Sequence, residues 1–377
     1  MHKFKLFLGI LAACFCINVL PQNVTAAEVP ASTPKENTAI QPVSLVTGEE
    51  DTTTFQSYDL VVPVSTKTLV VPINMDYKGL LSIKLTGKVI PSGLDVALYS
   101  DEACTSIIGY ARYLSSSSME SDLEAKVPAK GTYYLKLSLS SYAEADASLT
   151  ITPYSFSSEN KTLKNKEWIG SYPMSYDSQI SHKITINKPG YIMVEGASLG
   201  EYSSSISVTL LNSKKAKLSE LEYLSKTQGY ATYFAVNKGT YYINAKSSDV
   251  YKLRYSFVAV AEKPGSTKAK AVTIGKGKTV KGLVQATDST TKADWYKVKL
   301  TSKRKLAFDI YAKSNESIKF EIIPASKNVI LWGSTITLYD FEGGEYSTKE
   351  TMPVGTYYIK VTKRAKTSSG YYTIKFR

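Results

Sequence analysis

The stretch "VGTYYIKVTKR", Val354 to Arg364, opens with a phrase that the chain has already used in "KGTYYLKLSLS" from Lys130 and "KGTYYINAKSS" from Lys238. Gly-Thr-Tyr-Tyr thus begins at Gly131, Gly239 and Gly355, intervals of 108 and 116 residues. A repeat of that length is the size of a domain, far beyond a solenoid repeat. Within the phrase apolar side chains recur at every second position. That puts Tyr357, Ile359 and Val361 on one face of a strand and Tyr358, Lys360 and Thr362 on the other. The same parity buries Tyr133, Leu135 and Leu137 in the first copy and Tyr241, Ile243 and Ala245 in the second. The leading glycine suits a turn that needs a positive φ.

Outward from the phrase, a second alternating run follows each copy after a short polar loop: "ASLTITP" from Ala147, "YKLRYSFVAV" from Tyr251 and "GYYTIKFR" from Gly370. The last two strands of each unit therefore read as a hairpin. Upstream lie further strands such as "LLSIKLTG" from Leu80, "YIMVEGAS" from Tyr191 and "DWYKVKLTS" from Asp294. Short runs rich in Tyr, Val, Ile and Thr, separated by Ser, Gly and Lys turns, predict an all-β chain of three tandem antiparallel β-sandwich units. The units are 51–154, 155–262 and 263–377, and "AEKPGSTKAKA" from Ala261 marks the clearest boundary. "KKAKLSELEYLSKT" from Lys214 reads as one short helix or as strand, loop and strand.

Residues 1–26 carry Lys3 and Lys5, an apolar run from Leu6 to Leu20 and the small residues Val24-Thr25-Ala26, the pattern of a secretory signal. Leu11-Ala12-Ala13-Cys14 offers the alternative of a lipid-bearing Cys14. Residues 27–50 lack alternation and are expected to be disordered. No later window approaches the ~20 apolar residues of a membrane helix. A secreted chain, free or held at the cell surface, is the expectation. It keeps Cys104 alone, so no internal disulfide can form, and Cys104 reads as a small buried apolar residue.

The formal charge of the whole chain is +13. Outside a cell this favours extracellular polysaccharide, anionic cell-wall polymer or matrix protein as partners. Nucleic acid is not expected, because no RNP, helix-turn-helix or zinc-finger pattern accompanies the charge. Catalysis is not expected either. His182, in "SHKITI", is the one histidine beyond the leader, and it shares parity with Ile184, which reads as a partly buried structural side chain rather than a base. Zinc fails on the same shortage of His and Cys, no cofactor is expected, and "GKGKT" from Gly275 lacks P-loop spacing and reads as a turn. A pair of carboxylates could still hydrolyse a glycoside, but no acid recurs at matching places in the three units.

The informative side chains are then the ones facing water. Tyr134, Tyr242 and Tyr358 recur there, flanked by Lys136, Asn244 and Lys360, and Trp295 and Tyr371 share the outward parity of their own strands. A ring beside an amine or amide suits a sugar or an extended peptide, although such rings also pair across strands with no ligand. Trp168 and Trp332 fall near turns.

The third unit resembles the bacterial pre-peptidase C-terminal domain, to which collagen-binding domains of clostridial collagenases are related. Asp294-Trp295-Tyr296, Gly355-Thr356-Tyr357-Tyr358 and Gly370-Tyr371-Tyr372-Thr373 occur in the order that family uses. The resemblance implies a jelly-roll-like β-sandwich of the kind appended to secreted enzymes, binding collagen or polysaccharide in some members. Many members bind calcium through an acidic linker. Here the linker is lysine-rich, and Glu262, Asp288 and Asp294 look too scattered for a site. The resulting expectation is a secreted, non-catalytic binding protein, with an accessory subunit of a separately encoded hydrolase as the alternative.

Overall fold

The computed structural model describes residues 46–47, 56–110, 113–175, 178–199, 206–225, 230–331, 333–339 and 341–377. The expected signal sequence, residues 1–26, lies outside them, as do Trp332 and all but Val46 and Thr47 of the segment expected to be disordered. Those two residues form a short strand parallel to Ala147–Ser157, which corrects the expectation at this point.

Every element among the described residues is a strand or an irregular connection. The Gly-Thr-Tyr-Tyr strands are Gly131–Leu139, Gly239–Lys246 and Gly355–Lys363. Each lies inside its sheet, with a partner on either edge: Thr68–Met75 and Leu94–Tyr99, Ile180–Ile186 and Ile206–Leu211, Ala293–Leu300 and Ile318–Pro324. Across the core from it stands the strand that follows in sequence: Ala147–Ser157, Tyr251–Ala259 or Gly370–Phe376. With the two-residue edge strands Val46–Thr47 and Val272–Thr273 set aside, numbering the remaining eight strands of each unit in chain order gives one sheet 1-8-3-6 and the other 2-7-4-5, in all three copies. That is the double Greek key of a jelly roll.

The hairpin expected at the end of each unit is therefore corrected. Its two strands belong to opposite sheets and meet face to face through their apolar sides. Alternation declares an inward face, but the same pattern serves a hydrogen-bonded neighbour and a partner across the sandwich. In the third unit the inward faces bring Tyr357, Ile359 and Val361 against Tyr372, Ile374 and Phe376 in one core, each at most 2% exposed. Separate clusters fill the first and second units around Leu135 and Ile83, and around Ile243 and Val194.

The first tyrosine of each phrase explains the repetition. Tyr133, Tyr241 and Tyr357 are at most 5% exposed, and each hydroxyl donates to the carbonyl four residues upstream, of Ala129 (2.8 Å), Asn237 (3.2 Å) and Pro353 (2.8 Å). This is a tyrosine corner: the ring fills the core while its hydroxyl ties down the turn entering the strand. The glycine has a lesser part than expected. Gly131 and Gly239 are not at positive φ, and Gly355, at 159°, stands at the limit of extended backbone. Replacing Tyr357 by Phe keeps the ring and removes one hydrogen bond, so urea unfolding should show a loss of about 1 kcal/mol; the same holds for Tyr133 and Tyr241.

Two features join the units. Between the first and second, the edge of Ala147–Ser157 is taken up in turn by Tyr58–Val62, Val46–Thr47 and Ile169–Ser171. Ile169–Ser171 pairs on its other edge with Tyr251–Ala259, so one nine-stranded sheet runs through both units. The small side chains of Ser157 and Ser171 are buried where the edges meet. Between the second and third, Ala235, Val260 and Leu283 form a small apolar cluster, and the Ala286 N–H donates to the Ala235 carbonyl at 2.8 Å.

Smaller expectations resolve here too. The described part of the segment from Lys214, residues 214–225, holds no helix: Lys217 makes an isolated bridge to Leu211, and Glu222–Leu224 is a strand paired with Ile206–Leu211. Residues 276–277 are a turn ahead of the strand Thr279–Val284, with Gly277 at φ 74°. Cys104 is corrected from buried to half-exposed, because it sits in a turn at φ 53° rather than in a strand.

Candidate binding face of the third unit

The strands Ala293–Leu300, Gly355–Lys363 and Ile318–Pro324 lie side by side, and period two sends alternate residues of each to the outer face. Register places Trp295 opposite Lys360, and Lys360 opposite Glu321; one step along, Lys297 faces Tyr358. The Trp295 and Tyr358 rings stand edge to face, centroids 6.5 Å apart. Lys360 Nζ lies 5.9 Å from the Trp295 centroid, and Lys268 Nζ lies 4.8 Å over Tyr358. Lys268 comes from the linker, which folds back so that Gly265 bridges to Trp295. Trp295, Tyr358 and Lys360 thus form one half-buried shelf, with ring surface and amines available together.

Beside the shelf runs an open groove of about 540 Å³ that shares Lys360 and adds Lys319, Glu321, Thr337, Tyr339 and Arg364. Glu321 holds Lys319 at 2.9 Å and Lys360 at 3.3 Å. Burial pushes its carboxyl up, but the hydrogen bonds from the two lysines outweigh this and hold it below the ordinary value. Arg364 packs its guanidinium over the Tyr339 ring at 5.5 Å and donates to that hydroxyl. At the floor, Lys363 is 4% exposed, and its Nζ donates to the Ala286 and Lys366 carbonyls, both at 2.9 Å. Desolvation draws its pKa down. Four cations around one carboxylate, with hydroxyls and two ring faces, can hold a hydroxylated chain that carries negative groups.

Sequence reasoning missed Lys319, Glu321, Tyr339 and Arg364. The available signal was the outward parity of "IKFEIIP", which puts Lys319 and Glu321 on the face of Lys360.

The other site residues separate. Tyr134 is half-buried opposite Tyr99 and Pro72, an aromatic pair on the outer face of the first unit. Tyr242 stands opposite Lys183 and Leu211, with Lys215 Nζ 5.5 Å from its ring. Tyr371 lies on the opposite sheet of the third unit and stacks on Tyr191 of the second, centroids 5.0 Å apart and planes 29° from parallel. Its outward face is thereby used as a contact between units, which removes it from the candidate face. Trp168 is covered by Arg254 at 4.4 Å and Lys252 at 5.0 Å.

His182 is fully buried. Its Nε2 is 3.1 Å from the Tyr251 hydroxyl, and its Nδ1 accepts the Lys161 N–H at 3.4 Å. Burial first, and the Lys161 charge second, lower its pKa to about 3, so the ring is neutral and structural.

Glu262, Asp288 and Asp294, scattered in sequence, come near enough in the fold for the charges of Asp294 and Asp288 to act on Glu262. Glu262 accepts the Leu283 N–H, Asp288 accepts the Gln285 N–H at 3.0 Å, and Asp294 accepts the Tyr372 hydroxyl at 2.7 Å. Tyr372 in turn is 3.0 Å from the Tyr296 hydroxyl. Lys292 pairs with Asp288 at 2.9 Å. Among the described residues no group of three or more His, Cys, Asp or Glu side chains is disposed to hold a metal ion. Burial, with Asp294 next in weight, raises Glu262 to about 7, and burial raises Asp294 to about 6. A raised carboxyl contributes stability that is complete below its unfolded pKa and is lost as pH rises through the folded one. Glu262→Gln, which keeps the acceptor and drops the charge, should therefore gain on the order of 1–2 kcal/mol over the parent at pH 8 and nothing at pH 4. Urea unfolding at the two pH values checks this.

No family model matches the chain, and no curated protein matches it. Among solved structures, the M60 catalytic domain with CBM51-1 and CBM51-2 from Clostridium perfringens ZmpB is 9% identical with a TM-score of 0.21, over 85% of this chain and 34% of that one. A Paenibacillus xanthan lyase is 12% identical with a TM-score of 0.20, again over 85% and 34%. The Bacillus thuringiensis endotoxin Cry8Ea1 is 10% identical at 0.19, over 81% and 53%. The chain thus spans about a third of the first two. At such scores the likenesses carry no argument about what this chain does.

Proposed function

We propose that this is a secreted, non-catalytic protein that attaches to an extracellular polysaccharide or anionic cell-wall polymer, and that the outer face of the third unit makes the main contact. The observation that carries this is the convergence of Trp295, Tyr358 and Lys360, from two strands some 60 residues apart in sequence, beside a groove with four cations and one acid. Rings without such neighbours stabilise a sheet; rings flanked by amines at the rim of a polar groove also present a surface to a sugar. The motif resemblance to the pre-peptidase C-terminal domain points the same way. The outer faces around Tyr134 and Tyr242 add weaker contacts, which gain by effective concentration when one polymer spans them.

The test is retention of residues 27–377 on immobilised neutral polysaccharide, acidic polysaccharide, cell wall and collagen at two salt concentrations. Retention on an acidic polymer that weakens with salt without vanishing is the expected result. No retention on any of the four would overturn the proposal.

A further inference from the structure

At another part of the third unit lies a second groove, of about 340 Å³, that shares no residue with the first. Its lining supplies three cations, Lys276, Lys299 and Arg304, and three hydroxyls, Thr273, Thr301 and Ser302, with the Phe376 ring as an apolar wall. No acid lines it. In the first groove Glu321 neutralises two lysines, whereas here no described ion pair takes up any of the three cations.

The cations come from separate elements that the fold holds still. Lys276 rides on the turn before Thr279–Val284, whose Gly277 N–H donates to the Phe376 carbonyl at 2.7 Å. Lys299 is outward on Ala293–Leu300 by the alternation that also exposes Trp295. Arg304 exchanges two backbone hydrogen bonds with Met352, at 3.1 and 2.8 Å, and its guanidinium rests 5.2 Å from the Phe376 ring. That ring is itself packed on Phe308 at 5.6 Å. Arg304 is thus oriented before any ligand arrives, with its planar set of N–H donors free to fork onto two oxygens of one anion.

We infer that this groove is a second binding site, specific for a tetrahedral oxyanion, a sulfate or phosphate ester borne on a polymer. A planar carboxylate offers two oxygens, whereas three cations and three hydroxyls in one pocket match the larger set of acceptors on a tetrahedral group. The inference stands on residues that the proposed polysaccharide face does not use.

The experiment measures binding of residues 27–377 to a sulfated polysaccharide, a poly(glycerol phosphate) and a neutral polysaccharide, for the parent, for Arg304→Gln, and for Arg304→Gln with Lys299→Gln. Lys238→Gln, an exposed lysine elsewhere, controls for net charge. Loss of one charge-assisted contact corresponds to roughly 10-fold weaker binding, and the double variant should lose more. Circular dichroism confirms that the variants fold. The site stands if affinity for either esterified polymer falls by that factor while neutral binding and the Lys238→Gln control do not change; whichever polymer responds identifies the source of the ester. The inference is overturned if neither polymer responds, or if Lys238→Gln weakens binding as much as Arg304→Gln. Failure of the aromatic face would appear differently, as neutral binding unchanged by Trp295→Ala while ester binding still falls on Arg304→Gln.

Discussion

Acidification from pH 6.5 to 4 is expected to remove roughly 3 kcal/mol of stability from the second unit, through His182 alone. The ring is fully buried, and the neighbouring backbone N–H and Tyr251 hydroxyl suit its neutral form. With a folded pKa of about 3 against the usual 6.5, the unfolded chain binds the proton over this range and the native one does not. Stability then rises with pH, by about 1.4 kcal/mol per unit between pH 3 and 6.5, and is flat above. Glu262 and Asp294 act with the opposite sign, but they sit in the junction and the third unit. Acid therefore loosens the second unit while it firms up the third. Chemical unfolding followed at several pH values, in the parent and in His182→Asn, reads the slope. A parent with the same slope as the variant would mean that water reaches the ring.

Trp295→Ala should weaken binding to the target polymer by about 30-fold, and Tyr358→Ala by a similar factor, the scale of ~2 kcal/mol at which one aromatic anchor dominates a contact. Both rings lie on the outer face, so truncation leaves no hole in the core, and the cost in folding should stay near or below 1 kcal/mol. Tyr134→Ala and Tyr242→Ala should each cost less than 5-fold, since Tyr134 faces Tyr99 rather than an amine, and Tyr242 has Lys215 but no indole. Affinity measured on the mature chain at fixed salt decides this. Equal losses at all three tyrosines would mean that the faces contribute alike and that avidity, not the third unit, sets the strength.

How far the sequence reaches follows from these residues. Period two gave the inward fates of all three phrases correctly, because one face meets a dry core, and the outward ones too except at Thr362, which is buried at 6% exposed. It also placed His182 inside and Trp295 outside. Sheet membership was not legible, and so the expected hairpins turned out to be partners across the core. Strands such as Glu120–Val127, "ESDLEAKV", were passed over because their acids, lysine and alanine are poor strand formers; only burial on alternate positions marks them. Tyr371 shows the limit for site residues. Its outward parity was right, but a neighbouring unit can cover an outward face, and nothing local announces Tyr191 on the far side. The tyrosine corner was hidden for a related reason, since it depends on where a hydroxyl ends up and not on the apolar pattern.

The strand Ile169–Ser171 is three residues long, yet it knits two units into a shared sheet. Tension applied along the chain would meet lateral peptide bonding at that seam in place of a slack tether, so a pulled molecule ought to keep its first and second units together until that bonding is sheared.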